Sequence, residues 1–363
     1  MNMNKLALYC RSGFEKELAA EITEKATALG VFGFARVVEN SAYVIFECYQ
    51  AGDADLLARK IPFNQLIFAR QMMVISEQIQ DLPQQDRITP IIAQYQQVSN
   101  HINLMQSSDI WVETADTNDA KTLATFCRKF TVPLRQALKK QGWLQAKNKK
   151  SGITLHIFFT QPNSCYVGYS YNNNHSEHIM GIPRLKFPAE APSRSTLKLE
   201  EAILHFIPRE QEALSLNENK YAVDLGACPG GWTYQLVKRG VFVYAVDHGK
   251  MAASLHETGR IEHCAEDGFK FQPPKRRKID WLVCDMVEQP RRIANLISQW
   301  LIKGWCKETI FNLKLPMKKR YIEVQQCLEQ IEESLAKQNI SFQLQAKHLY
   351  HDREEITVYI RVI

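Results

Sequence analysis

The run Val223-Asp224-Leu225-Gly226-Ala227-Cys228-Pro229-Gly230-Gly231-Trp232 constrains the fold more than any other stretch of this 363-residue chain. It begins inside the apolar segment Tyr221–Leu225 and leads into helical spacing over residues 233–239. A strand that ends in a glycine-rich turn and feeds a helix is a building unit of an open α/β sheet. Such sheets bind ligands in the crevice at the carboxyl ends of their strands. Glycines there let the backbone approach a ligand closely. The turn lacks the GxGxxG of a dinucleotide site and reads Asp-x-Gly-x-x-Pro-Gly-Gly instead. An acidic residue before the first glycine suits a positively charged aminoacyl group better than a pyrophosphate. A tight strand–helix turn without a ligand is the plainer alternative.

Further apolar runs at 241–246, 279–284 and 309–313 alternate with helical patterns, which predicts a doubly wound sheet over 191–363. Asp247 stands where the second strand ends, a position that commonly accepts hydrogen bonds from ribose hydroxyls. Asp267 stands where a third strand should end, placed to take an adenine amino group. Either is a mere turn residue when read alone. The segments 342–347 and 356–362 follow one another without a helix between them, so the sheet is expected to close with an antiparallel last strand.

The first half carries no such turn. Strand, helix, strand, strand, helix, strand over 1–78 is the order of a ferredoxin-like unit. In it, residues 66–69 and 72–75 read as extended. Pro83 and Pro90 punctuate the start of a second α/β unit, 79–175. That unit has strands near 109–114, 153–160 and 164–170 and a helix over 121–140 interrupted near Pro133. Low periodicity and the prolines Pro183, Pro188 and Pro192 mark a linker, placed at 176–190. Lys plus Arg is 45 and Asp plus Glu 39, a net charge of +6, which permits a polyanionic partner without demanding one. Nine widely spaced cysteines with no CxxC disfavour a disulfide framework or a zinc ribbon, and fit a reducing compartment such as the cytoplasm. The N-terminal segment lacks the apolar core of a signal peptide, and no stretch approaches a membrane span.

The turn from Asp224 to Trp232 resembles the S-adenosyl-L-methionine loop of the FtsJ-like Rossmann-fold RNA ribose methyltransferases. The resemblance implies cofactor contacts from Ser195, Asp224, Gly226, Cys228, Pro229, Gly230, Gly231, Trp232, Asp247, Asp267 and Asp285. It also implies a Lys-Asp-Lys-Glu tetrad. Ser193-Arg194-Ser195-Thr196-Leu197-Lys198 offers Lys198, Trp281-Leu282-Val283-Cys284-Asp285 offers Asp285, and Ile310-Phe311-Asn312-Leu313-Lys314 offers Lys314. Glu354 and Glu355 compete for the last place. The family's glutamate directly precedes an apolar strand residue, which favours Glu355. Phrases near residues 10–22, 126–136, 181–199 and 311–321 extend the resemblance over the whole chain. They point to those bacterial members that methylate a cytidine 2′-hydroxyl of 23S rRNA and carry a ferredoxin-like unit and an RNA-binding THUMP domain ahead of the catalytic domain. Cys228 in place of a common alanine, and Val287-Glu288-Gln289 after the fourth-strand aspartate, depart from the wider pattern.

A ribose hydroxyl is a poor nucleophile, so the implied chemistry needs a base. Lys314 is the candidate, with Lys198, Asp285 and Glu355 orienting the groups around it. A lysine accepts a proton only when neutral, against an ordinary pKa of about 10.4. The implied site therefore relies on burial and neighbouring positive charge. No metal is required, and the chain is expected to act as a monomer on rRNA. Methylation of a base would favour an Asn/Asp-Pro-Pro-aromatic motif, and none follows Asp285. A decayed, purely RNA-binding relative should have lost part of the tetrad, and a nicotinamide dehydrogenase should have the missing glycines. Basic clusters at 139–140, 147–150, 275–278 and 318–320 are each as readily a solvated face as an RNA contact. Residues 318–320 follow Lys314 and are the best placed for phosphates.

Overall fold

The computed structural model describes residues 3–102, 106–144 and 152–363. The basic cluster at 147–150 lies outside the described residues. The chain divides into two units, Met1–Pro183 and Arg184–Ile363.

The first unit runs β1 (Lys5–Tyr9), α1 (Glu15–Ala28), β2 (Gly33–Val37), β3 (Tyr43–Cys48), α2 (Asp53–Lys60), β4 (Gln71–Ile75), α3 (Ile88–Ile102), β5 (Asp109–Thr114), α4 (Lys121–Lys140), β6 (Ile153–Gln161) and β7 (Ser164–Tyr171). Helix α1 forms because Leu18, Ile22 and Ala26 recur every four residues, and that stripe is buried. The first four strands lie in the order β2-β3-β1-β4, a ferredoxin-like arrangement. The sheet does not stop there. Strand β4 pairs antiparallel with β7, and β6 and β5 follow, so the expected units 1–78 and 79–175 share one seven-stranded sheet.

Three local expectations change. Leu66, Phe68 and Ala69 are buried, but residues 66–69 form no strand: the backbone N–H groups of Ile67 and Phe68 donate instead to the buried Glu21 carboxylate at 2.5 and 2.9 Å. Pro90 does not break the chain. It sits in the first turn of α3, where its missing N–H would have no intrahelical partner. Helix α4 continues through Pro133 without interruption, its buried stripe of Leu123, Cys127, Leu134 and Leu138 holding it on the sheet.

The second unit runs α5 (Thr196–Phe206), α6 (Arg209–Ser215), β8 (Tyr221–Leu225), α7 (Gly231–Lys238), β9 (Phe242–Val246), α8 (Ala253–Glu257), β10 (Ile261–Cys264), β11 (Trp281–Cys284), α9 (Pro290–Ile302), β12 (Glu308–Lys314), α10 (Arg320–Ala336), β13 (Phe342–Lys347) and β14 (Glu355–Val362). Its sheet has the order β10-β9-β8-β11-β12-β14-β13. Strands β8 to β12 are parallel, and β14 runs antiparallel to both β12 and β13. Strands β8, β9, β11 and β12 are buried on both faces, which is why they read as near-continuous apolar runs, whereas the edge strand β10 is only half-buried. Leu199, Ala202, Phe206, Trp232, Leu236, Trp281 and Tyr359 form the core between helices and sheet. Strand order reverses between β8 and β11, and the crevice at their carboxyl ends is the natural ligand site of such a sheet.

Candidate active site

Four charged side chains meet at that crevice. Lys198 comes from the first turn of α5, Asp285 from just beyond β11, Lys314 from the end of β12, and Glu355 from the start of β14. The antiparallel register makes Lys314 and Glu355 direct cross-strand partners. Asp285 Oδ1 lies 2.5 Å from Lys314 Nζ, and its Oδ2 lies 3.4 Å from Lys198 Nζ. Glu355 Oε1 lies 2.5 Å from Lys198 Nζ, and its Oε2 lies 3.3 Å from Lys314 Nζ. Each carboxylate therefore bridges both lysines. Glu354 points elsewhere: it is largely exposed and pairs with Arg320 at 3.2 Å, so Glu355 is the glutamate of the ring.

The charges hold one another. Burial disfavours the Lys198 ammonium, but Asp285 and Glu355 outweigh it and its pKa moves up. Burial likewise raises Glu355, yet Lys314 and Lys198 bring its carboxyl below the ordinary value. Lys198 is thus held as a cation beside Lys314.

Four groups around the ring escaped the sequence reading. Asn312 Nδ2 donates to Asp285 Oδ1 at 3.0 Å. Thr357 Oγ1 lies 2.9 Å from Asn312 Oδ1 and 3.1 and 2.9 Å from the two oxygens of Asp352. Asn312 shares the strand parity of Lys314, and Thr357 that of Glu355, the only sequence signal that marked them. Glu201 of α5 accepts the backbone N–H groups of Tyr350 and His351 at 2.7 and 2.8 Å, and fixes the turn that delivers Glu355.

The glycine-rich turn lies beside this ring. Gly230 begins α7 at φ 116°, and a Cβ there would stand 2.1 Å from Leu255 Cδ1. Only glycine fits both the left-handed backbone and the contact. Gly231 faces Ser195 Oγ, and Gly226 packs against Met286, each too close for a Cβ. The half-exposed Asp247 accepts from Cys228 N at 3.0 Å and Gly249 N at 2.8 Å, and so braces the turn from the next strand. Asp267 accepts from Phe269 N at 2.9 Å. Pro229 is exposed, following a cis Cys228–Pro229 bond.

Two of the expected cofactor residues are buried in the fold. Asp224 is 0% exposed; it accepts the Thr233 hydroxyl at 2.6 Å and ties the strand to the helix it precedes. Burial pushes its carboxyl up to about 7, against Thr233. Trp232 is 2% exposed and its side chain belongs to the core, not to the crevice. Lys318 and Lys319 are exposed, whereas Arg320 is committed to Glu354. In the first unit, the rings of Phe126 and Phe130 stack on each other and pack edge-on against Phe159. Among the described residues, no three His, Cys, Asp or Glu side chains are grouped to hold a metal ion, and no helix is long and apolar enough to cross a membrane.

The fold and this site define a methyltransferase: residues 191–344 match the FtsJ-like methyltransferase family. Residues 3–73 match the RlmM ferredoxin-like domain, and residues 86–171 match the N-terminal domain of ribosomal RNA large subunit methyltransferase M. The chain is 86% identical over 361 residues to "Ribosomal RNA large subunit methyltransferase M" of Histophilus somni (strain 129Pt), covering 99% of this chain and 100% of that one. The proteins of the same name from Pasteurella multocida (strain Pm70) and Aggregatibacter aphrophilus (strain NJ8700) are 76% identical over 361 residues and 74% over 362. These alignments cover 99% of this chain in both cases, and 99% and 100% of the relatives. The chain belongs to the ribosomal RNA large subunit methyltransferase M family.

Proposed function

We propose that this protein is an S-adenosyl-L-methionine-dependent ribose 2′-O-methyltransferase that modifies a cytidine of 23S rRNA, with Lys314 as general base. The observation that carries the reading is the ring in which Asp285 and Glu355 each bridge Lys198 and Lys314. Such a ring offers a ribose hydroxyl both a base and two orienting carboxylates. Lys314 takes the hydroxyl proton at Nζ, Asp285 and Glu355 hold Nζ in line, and Lys198 remains charged. Proton transfer to a positioned group accounts for roughly 10²–10⁴-fold of rate, and alignment of the reacting atoms adds more. When bound, the cofactor supplies the methyl group on a positively charged sulfur. The residues present fit it: the glycine turn can approach it closely, Asp247 keeps further lone pairs for ribose hydroxyls, and Asp267 follows shortly after the end of β10.

The first unit, with the THUMP-like segment 79–175, is the RNA-binding half, and Lys318 and Lys319 contact phosphates near the target. The protein works in the cytoplasm as a monomer on naked or early precursor rRNA, in line with nine unpaired cysteines. Mapping 2′-O-methylation across rRNA from cells with and without this protein tests the reading. One 23S cytidine should lose its methyl group when the protein is removed. An unchanged map, or loss of a base methyl instead, would refute it.

A further inference from the structure

Asn312, Thr357 and Asp352 are all 0% exposed, lie behind the ring, and take no part in the chemistry derived so far. Their hydrogen atoms can be counted. The group 3.0 Å from the Asp285 carboxylate must be the donor end of Asn312, its Nδ2. That fixes Asn312 Oδ1 toward Thr357 Oγ1, 2.9 Å away. A carbonyl oxygen only accepts, so the single hydroxyl proton of Thr357 is used there. Yet Thr357 Oγ1 also lies 3.1 and 2.9 Å from the oxygens of Asp352. A hydrogen between those atoms must come from Asp352. Both oxygens of that carboxyl lie within reach of the hydroxyl, and Oδ2 also accepts Leu349 N–H at 3.0 Å. Burial, with Glu355 and Glu201 nearby, favours that neutral form.

We propose that Asp352, Thr357 and Asn312 form a one-way hydrogen-bond chain, each donating to the next and the last to Asp285, that positions Asp285 for methyl transfer. Asn312 and Lys314 share Oδ1 of Asp285 while Oδ2 faces Lys198, so the chain sets which oxygen serves which lysine. The antiparallel register supplies the frame: Asn312 pairs with Thr357 one step below the Lys314–Glu355 pair, on the same face. These three are positioning residues, since none touches a reacting atom. The inference rests on the methyltransferase reading above.

The test uses the full chain, an in vitro 23S rRNA transcript, single-turnover transfer and calorimetric cofactor binding. Thr357→Val keeps the shape and removes the hydroxyl. It should slow transfer at least about tenfold while leaving the cofactor Kd and the KM for RNA within about twofold, as expected for loss of alignment alone. Thr357→Ser restores the hydroxyl and should recover most of the rate. Asp352→Asn should stay active, because its amide donates to Thr357 as the neutral acid does while its carbonyl accepts Leu349 N–H. Thr357→Val at the wild-type rate overturns the chain, as does Thr357→Ser as slow as Thr357→Val, Asp352→Asn as slow as Thr357→Val, or a loss that arises through weaker cofactor binding. A wild-type protein that transfers no methyl group to rRNA overturns the functional reading and this inference with it. An active wild type with indifferent variants overturns the inference alone.

Discussion

Asp224→Asn should stabilise this protein in neutral and alkaline solution. The carboxyl is completely buried and accepts the Thr233 hydroxyl, while its Oδ1 has no partner. Burial raises it from 3.8 to about 7 in the folded chain. The folded state therefore holds a proton that the unfolded chain releases between those values. Stability grows as pH falls through 7, and the penalty on the charged form is complete above it. A rise of that size corresponds to about 4 kcal/mol. The amide avoids this penalty and still accepts from Thr233, but it buries an unpaired NH2, which costs about 1–3 kcal/mol. The net gain at pH 8 should be about 1–3 kcal/mol. At pH 5 the wild-type carboxyl is itself neutral, and the advantage should vanish or reverse. Urea denaturation of both proteins at pH 5, 6, 7 and 8 reads the difference directly. A variant less stable than wild type at pH 8, or a difference that does not change with pH, would show that Asp224 is charged at little cost and that its environment has been misjudged.

Lys314→Arg should abolish single-turnover transfer, a loss of roughly 10²–10⁴-fold, while calorimetry shows cofactor binding nearly intact, because a guanidinium stays protonated. An active Lys314→Arg enzyme would leave this lysine an electrostatic role only. Gly230→Val should abolish cofactor binding in the same calorimetric assay, since its Cβ would collide with Leu255 and its φ of 116° excludes a branched residue. Asp247→Ala should weaken cofactor binding by leaving the Cys228 and Gly249 N–H groups without their acceptor, and unchanged affinity would remove Asp247 from the site. The fragment 184–363 has its own sheet and core and should bind cofactor, yet methylate rRNA far more slowly than the whole chain. Equal rates would leave the first unit without a role in RNA binding.

Strands β8, β9, β11 and β12 were legible because burial on both faces makes each a nearly unbroken apolar run, the half-buried edge strand β10 was not, and the glycine turn after β8 marked the crevice. The four charged residues lie as far apart as Lys198 and Glu355 in sequence, and only family resemblance grouped them. Their side chains meet because three strand termini and one helix start converge at one end of the sheet. Asn312 and Thr357 left almost no trace. A polar residue in a strand reads as solvent-facing, and what makes these two buried partners is the β12–β14 register, which no local pattern encodes. Pro90 and Pro133 misled for a related reason. Proline is a strong local signal, but its position within the helix and the packing of the helix decide whether it breaks anything. Trp232 sits in a ligand-binding turn by sequence and in the core by structure, because the first turn of α7 points it back under the sheet's helices.

The sheet of the first unit carries a lesson about where this chain can be cut. Two separately recognisable sequence families, at 3–73 and 86–171, occupy opposite halves of one hydrogen-bonded ladder that meets at β4 and β7. Severing the chain between them would bare the backbone edge of β4 on one piece and of β7 on the other, each buried strand then an open template for aggregation. The boundary that matters for folding is the one near residue 183. In sequence the first half of the molecule is two parts, and in hydrogen bonding it is one.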